Sequence, residues 1–123
     1  MVRNINGEPV PVIIDFGLSI FSESIENIYK KCGTPGYLSP ETINLNLLNP
    51  KFYTKSDMFA LGVIFYYFLT KRSLFGDSVH QIIRNNLAMN FDLSATNDLI
   101  NEEEFELLEG LLKVGTEERL SAS

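Results

Sequence analysis

Apolar positions along this chain fall into a short run near the N-terminus, a long unbroken block in the middle and two helically spaced stripes after it. Met1 to Pro11 is polar, carries Gly7, Pro9 and Pro11, and reads as loop. Val12-Ile13-Ile14, bounded by Pro11 and Asp15, has the pattern of a buried strand. Leu18-Ser19-Ile20 reads as a second, shorter extended piece. Ser22 to Lys31 is polar and aperiodic, which predicts a mobile loop. Cys32 to Pro40 holds Gly33, Pro35, Gly36 and Pro40, a density that neither a helix nor a central strand accepts. Long Gly- and Pro-bearing loops in small domains are commonly functional.

The second half reads as helix. Met58 to Leu69 is apolar throughout and uncharged, with Asp57 or Ser56 placed to cap it and Lys71 and Arg72 at the end the helix dipole favours for cations. Such a block spans about 18 Å as a helix, short of the roughly 20 residues a bilayer needs, so it is expected to be a central buried helix. Val79, Ile82, Ile83 and Leu87 form an amphipathic stripe opened by a Ser78/Gln81 capping box. Phe105, Leu108 and Leu112, flanked by Leu107 and Leu111, form another, with Asn101 and Glu104 as a weaker box.

Composition narrows the classes. The chain has 123 residues and a formal net charge of −6, the size of one modest domain. One cysteine excludes an internal disulfide, and with one histidine it excludes an all-protein tetrahedral zinc site. Residues 1–90 are nearly balanced, and the acidic excess lies in residues 91–123, centred on Glu102, Glu103, Glu104, Glu106 and Glu109. That balance argues against nucleic acid as a partner, and the cluster fits a solvated helix face near a helix N-terminus. No basic segment leads into an apolar run at Met1, so a cytoplasmic protein without a signal peptide or membrane span is expected. His80 reads as a surface residue and Cys32 as a plain small one.

Candidate chemistry lies in an ordered series of short motifs. Asp15-Phe16-Gly17 comes first, then Cys32-Gly33-Thr34-Pro35-Gly36-Tyr37-Leu38-Ser39-Pro40-Glu41, then Ser56-Asp57 opening the apolar block, and Glu118-Arg119-Leu120 near the end. In that order they resemble the C-terminal lobe of eukaryotic protein kinases of the Ser/Thr type. The phrase from Lys31 to Tyr37 is most like the calcium/calmodulin-dependent group. The resemblance covers nearly the whole chain. It implies a mainly α, partial kinase-like lobe with a short β pair around the D-F-G motif. Residues 11–41 would hold the strand, D-F-G and activation segment, and residues 42–123 the helical base.

The resemblance also implies roles. Asp15 would hold Mg²⁺ against the phosphates of ATP; Phe16 would pack inward and set the position of Asp15; Gly17 would let the pair flip. Thr34 would support catalysis from the substrate-docking loop, near the catalytic Asp and Lys. Ser39-Pro40-Glu41 stands where most kinases have A-P-E. Glu41 and Arg119 would form a buried pair pinning the segment to the base. Asp57 would cap the central helix and accept backbone hydrogens from the catalytic loop, with Phe59 in place of the usual Trp. Ser22, Ser24 and Tyr29 are candidate phosphosites in the segment.

Departures from the family pattern matter equally. His80 is followed by Gln81 and Ile82, so the chain holds no H-R-D and with it no general base, and only Gly7 precedes Asp15, so it holds no Gly-rich loop. Residues 2–11 resemble the insert that joins the catalytic loop to the strand before D-F-G. The expectation is a fragment of a Ser/Thr kinase that needs the missing N-terminal half to act on protein substrates, inactive alone. The alternative is a non-catalytic kinase-like interaction module or decoy. Without its neighbours the apolar helix is expected to be exposed on two sides.

Overall fold

The computed structural model describes residues 1–19, 32–44 and 54–122. It is mainly helical with one two-stranded antiparallel sheet. Strands β1 (Val2–Ile5) and β2 (Glu8–Pro11) pair through an Asn6-Gly7 turn, in the register Ile5 opposite Glu8 and Val2 opposite Pro11. Both turn residues have positive φ, 55° at Asn6 and 92° at Gly7, as a tight two-residue hairpin turn requires.

This corrects the reading of residues 1–11 as loop. Met1 and Val12 exchange backbone hydrogen bonds at 2.8 and 3.2 Å. Bonded pairs alternate in an antiparallel ladder, which puts Pro9 and Pro11 where a missing N–H costs nothing. Val12-Ile13-Ile14 is not a strand: Ile13 is 82% exposed, because no strand or helix among the described residues covers it. Leu18 and Ser19 form no strand either, and Ile20 lies outside the described residues.

Ser39 starts the one-turn helix α1 (Pro40–Ile43), accepting the Thr42 N–H, with Pro40 at a position that needs no donor. Helix α2 (Lys55–Thr70) follows, then α3 (Val79–Ala88), a 3₁₀ turn at Ser94–Thr96 and α4 (Glu102–Leu112). Neither Asp57 nor Ser56 caps α2. The helix starts one turn of chain earlier, behind Thr54, and Asp57 lies exposed in its first turn. Lys71 ends α2 in a left-handed conformation, its ammonium donating to the Phe68 carbonyl. The capping boxes at Ser78/Gln81 and Asn101/Glu104 both form.

The core lies between α2, α4 and the α2–α3 connection. Phe59, Val63 and Tyr66 of α2 pack with Leu108 and Leu112 of α4 and with Leu74 and Phe75. Phe75 meets Phe91 edge to face at 5.7 Å. Helix α2 is not buried on all sides, since Leu61, Ile64, Tyr67 and Phe68 are exposed. The α3 stripe is also only partly inside: Ile82 packs on the core, while Val79, Ile83 and Leu87 are exposed. No helix among the described residues is long and apolar enough to cross a membrane.

Candidate functional site

Asp15 follows the hairpin in a left-handed conformation, φ 63°, and its Oδ1 accepts the Gly17 N–H at 3.2 Å. That local bond is the reason a non-glycine residue tolerates positive φ here. The positive φ therefore belongs to Asp15 and not to Gly17, whose contribution is closeness: a Cβ on it would sit 3.2 Å from Asp15 Oδ1. Phe16 does not pack inward; it is 69% exposed. No group of three or more metal-ligating side chains occurs among the described residues.

The loop from Cys32 to Leu38 turns at Thr34, whose carbonyl accepts the Tyr37 N–H at 3.1 Å. Cys32, Thr34 and Tyr37 are exposed, while Gly36 is buried. Gly36 has φ 96°, and a Cβ there would lie 2.9 Å from Ile82 Cγ2, so the loop backbone touches α3 directly. The Gly36 N–H donates to Asn86 Oδ1, and Asn86 Nδ2 donates to the Leu38 carbonyl. Composition and spacing do not single out Asn86; its one sequence signal is a polar residue four after Ile82 on an apolar stripe.

Directly after the loop, Glu41 is buried against Arg119. Arg119 reaches Glu41 Oε1 from Nη1 at 2.6 Å and Oε2 from Nη2 at 3.0 Å, a bidentate pair. Nη1 also donates to the Lys55 carbonyl, Nη2 to Val114 and Nε to Lys113. The guanidinium carbon lies 5.1 Å from the Phe59 ring centre. Ser56, rather than capping α2, donates its hydroxyl to Glu41 Oε1 at 2.8 Å. Burial pushes the Glu41 carboxyl up. Hydrogen bonds from Arg119, its own backbone and Ser56, with the charge of Arg119, outweigh that and hold it below its ordinary value.

The remaining candidates stand apart. Asp57 does not cap α2 and stands exposed in its first turn; the catalytic loop whose backbone it is expected to accept from is not part of this chain. His80 is exposed on α3. Glu102, Glu103 and Glu104 occupy the first turn of α4, and Glu109 pairs with Lys113 at 3.1 Å. Ser22, Ser24 and Tyr29 lie outside the described residues.

Comparison with known proteins matches residues 4–123 to the protein kinase domain. Myosin light chain kinase 2 of Mus musculus is 35% identical over 113 residues, 89% of this chain and 18% of that protein. Probable serine/threonine-protein kinase 2 of Plasmodium falciparum is 34% identical over 105 residues, 85% of this chain and 19% of that protein. Among solved structures, the Rad53 kinase domain with SCD2 superposes with a TM-score of 0.58 at 25% identity, covering 72% of this chain and 32% of that one. The chain thus spans less than a third of the length of these relatives. With a family model matched from residue 4 to the last residue, the chain belongs to the protein kinase domain family, in company with Ser/Thr kinases.

Proposed function

We propose that this chain is the Mg²⁺-holding and substrate-docking portion of a Ser/Thr protein kinase, which moves the γ-phosphate of ATP to protein Ser or Thr. The observation that carries the reading is the buried Glu41–Arg119 pair. It ties the segment that follows Asp15-Phe16-Gly17 to the helical base in a chain that belongs to the kinase family.

Mg²⁺ is usually held by one or two carboxylates together with substrate phosphates, not by an all-protein cage. A single exposed Asp15 carboxylate, with Oδ1 accepting the Gly17 N–H, suits that arrangement. When bound, Mg²⁺ would neutralise charge on the β- and γ-phosphates. The chain's own contribution is positional. Asp15 offers a carboxylate held by Gly17; the Thr34–Tyr37 turn presents a backbone and two hydroxyls to a peptide; Glu41 and Arg119 fix the chain after that turn to the base. The chain supplies no H-R-D base, strand Lys or Gly-rich loop, and we assign these to a kinase N-terminal half acting with it. Ser22, Ser24 and Tyr29 as phosphosites, the calcium/calmodulin-dependent subgroup and a cytoplasmic location belong to the same reading.

Two measurements test it. The purified chain with Mg·ATP is expected to transfer no phosphate to peptides; turnover that vanishes in Asp15→Ala would overturn its inactivity. Residues 4–123 placed in the corresponding segment of mouse myosin light chain kinase 2 are expected to give an active chimera that Asp15→Ala silences. A folded but inactive chimera would favour a non-catalytic interaction module.

A further inference from the structure

The stripe of α3 carries a polar residue at its most buried point. Asn86 is 1% exposed, while apolar neighbours on the same helix face solvent. A buried carboxamide is costly unless both its ends are paired. Here Oδ1 accepts the Gly36 N–H at 2.8 Å and Nδ2 donates to the Leu38 carbonyl at 2.9 Å. A main-chain N–H only donates and a carbonyl only accepts, so these partners fix which end of the amide faces which.

The clamp holds a loop 48 to 50 residues away in sequence. Between its two points stands exposed Tyr37, whose N–H closes the turn on Thr34. Glycine at position 36 lets the backbone come close enough, with its absent side chain against Ile82. Asn85, the next residue back, donates to the Phe75 carbonyl at 2.9 Å and fastens α3 itself to the core. This anchor is separate from the Glu41–Arg119 pair, which holds the chain after the loop.

We propose that Asn86 is the positioning residue of the docking loop: its carboxamide fixes the Gly36–Leu38 backbone on α3 and so holds the Thr34–Tyr37 turn ready for a peptide substrate. Asn86 acts through the loop. A loop already ordered pays less entropy when a peptide binds, so the effect falls on peptide affinity and not on ATP. The role toward substrate rests on the kinase reading; the clamp itself does not.

Amide hydrogen exchange on the 123-residue chain reads the clamp without catalysis. In Asn86→Leu the Gly36 amide is expected to exchange about tenfold faster, with Leu108 of α4 unchanged. Unchanged Gly36 exchange overturns the clamp. In the active chimera the same substitution is expected to raise KM for peptide about tenfold and leave KM for ATP unmoved. Unchanged peptide KM, or equal rises in both, overturns the role. Should Asn86→Leu also lose Leu108 protection, Gly36→Ala decides, since it crowds Ile82 and lifts the loop with Asn86 intact. It is expected to give the same peptide-only rise, and its absence overturns the proposal. A chimera inactive with Asn86 in place ends the kinase reading and the substrate role, while the exchange result still decides the clamp.

Discussion

Arg119 has five N–H donors, and each has an acceptor: two on Glu41 and one each on the Lys55, Lys113 and Val114 carbonyls. A lysine keeps the charge but has three donors and no planar fork, so it cannot hold both carboxylate oxygens and three carbonyls together. Arg119→Ala is expected to cost about 3–5 kcal/mol, because Glu41 is left buried and unpaired. Arg119→Lys is expected to lose most of that, both read from urea midpoints. The Glu41 carboxyl is depressed in the folded chain, so its stabilising contribution is complete above its ordinary value of 4.5 and is lost as pH falls through the lower folded value. The melting temperature should therefore drop in that acid window, and Glu41→Gln should be less stable at neutral pH with a flatter acid limb. A parallel acid limb in Glu41→Gln would show that other carboxylates carry the dependence. The resemblance to the kinase lobe implies this pair, but the three carbonyls, Ser56 and Phe59 around it are not legible in the sequence. Backbone acceptors leave no trace in residue types.

Among the helices, starts set by a local capping box are readable in the sequence and a start set by a distant partner is not. The α3 and α4 boxes form because a capping side chain and its N3 partner are set by three residues of spacing. The start of α2 is not legible, because Ser56, which reads as a cap, instead donates to Glu41, a demand from elsewhere in the chain. The hairpin is masked in the sequence by Pro9 and Pro11, which read as breakers, although Asn6-Gly7 between extended residues is a strong hairpin signal. Val12-Ile13-Ile14 erred the other way, since an apolar run becomes a buried strand only when something covers it. Gly62 shows the same conflict between local and tertiary preference. Glycine inside a helix costs about 1 kcal/mol against alanine. A Cβ at position 62, however, would lie 2.9 Å from both Leu111 Cβ and Leu112 Cδ2, where α2 and α4 meet. Such overpacking costs about 1–3 kcal/mol. Gly62→Ala is therefore expected to be destabilising, or neutral at best, in thermal unfolding. A clear gain would mean that the α2–α4 contact is looser than these distances.

For the whole molecule, the decisive feature is a core that faces one way. The inner side of α2 is closed by α4 and the Leu74-Phe75 connection, while its outer side forms an open apolar groove of about 320 Å³ with Leu61, Ile64, Phe68 and Leu107 in its walls. Phe68 alone is 64% exposed, and Ile13, Ile14 and Phe16 add apolar surface beyond the hairpin. Isolated apolar residues on a surface are ordinary, but a contiguous patch without charge is a site of association in water. Charge gives little protection, because no charged residue stands in the groove walls and Met58 to Leu69 carries none. The purified chain is therefore expected to sediment above its 13.9 kDa monomer mass in a concentration-dependent manner and to enhance the fluorescence of an apolar dye. Leu61 and Phe68 lie two turns apart on the exposed side, where substitutions change stability by about 0.5 kcal/mol or less. Leu61→Lys with Phe68→Lys should then give a monomer with little dye response and an unfolding midpoint close to the original. A wild-type chain that stays monomeric at every concentration would show that the groove is closed in solution. A double variant that melts much earlier would place these two side chains in the core instead of on its open side.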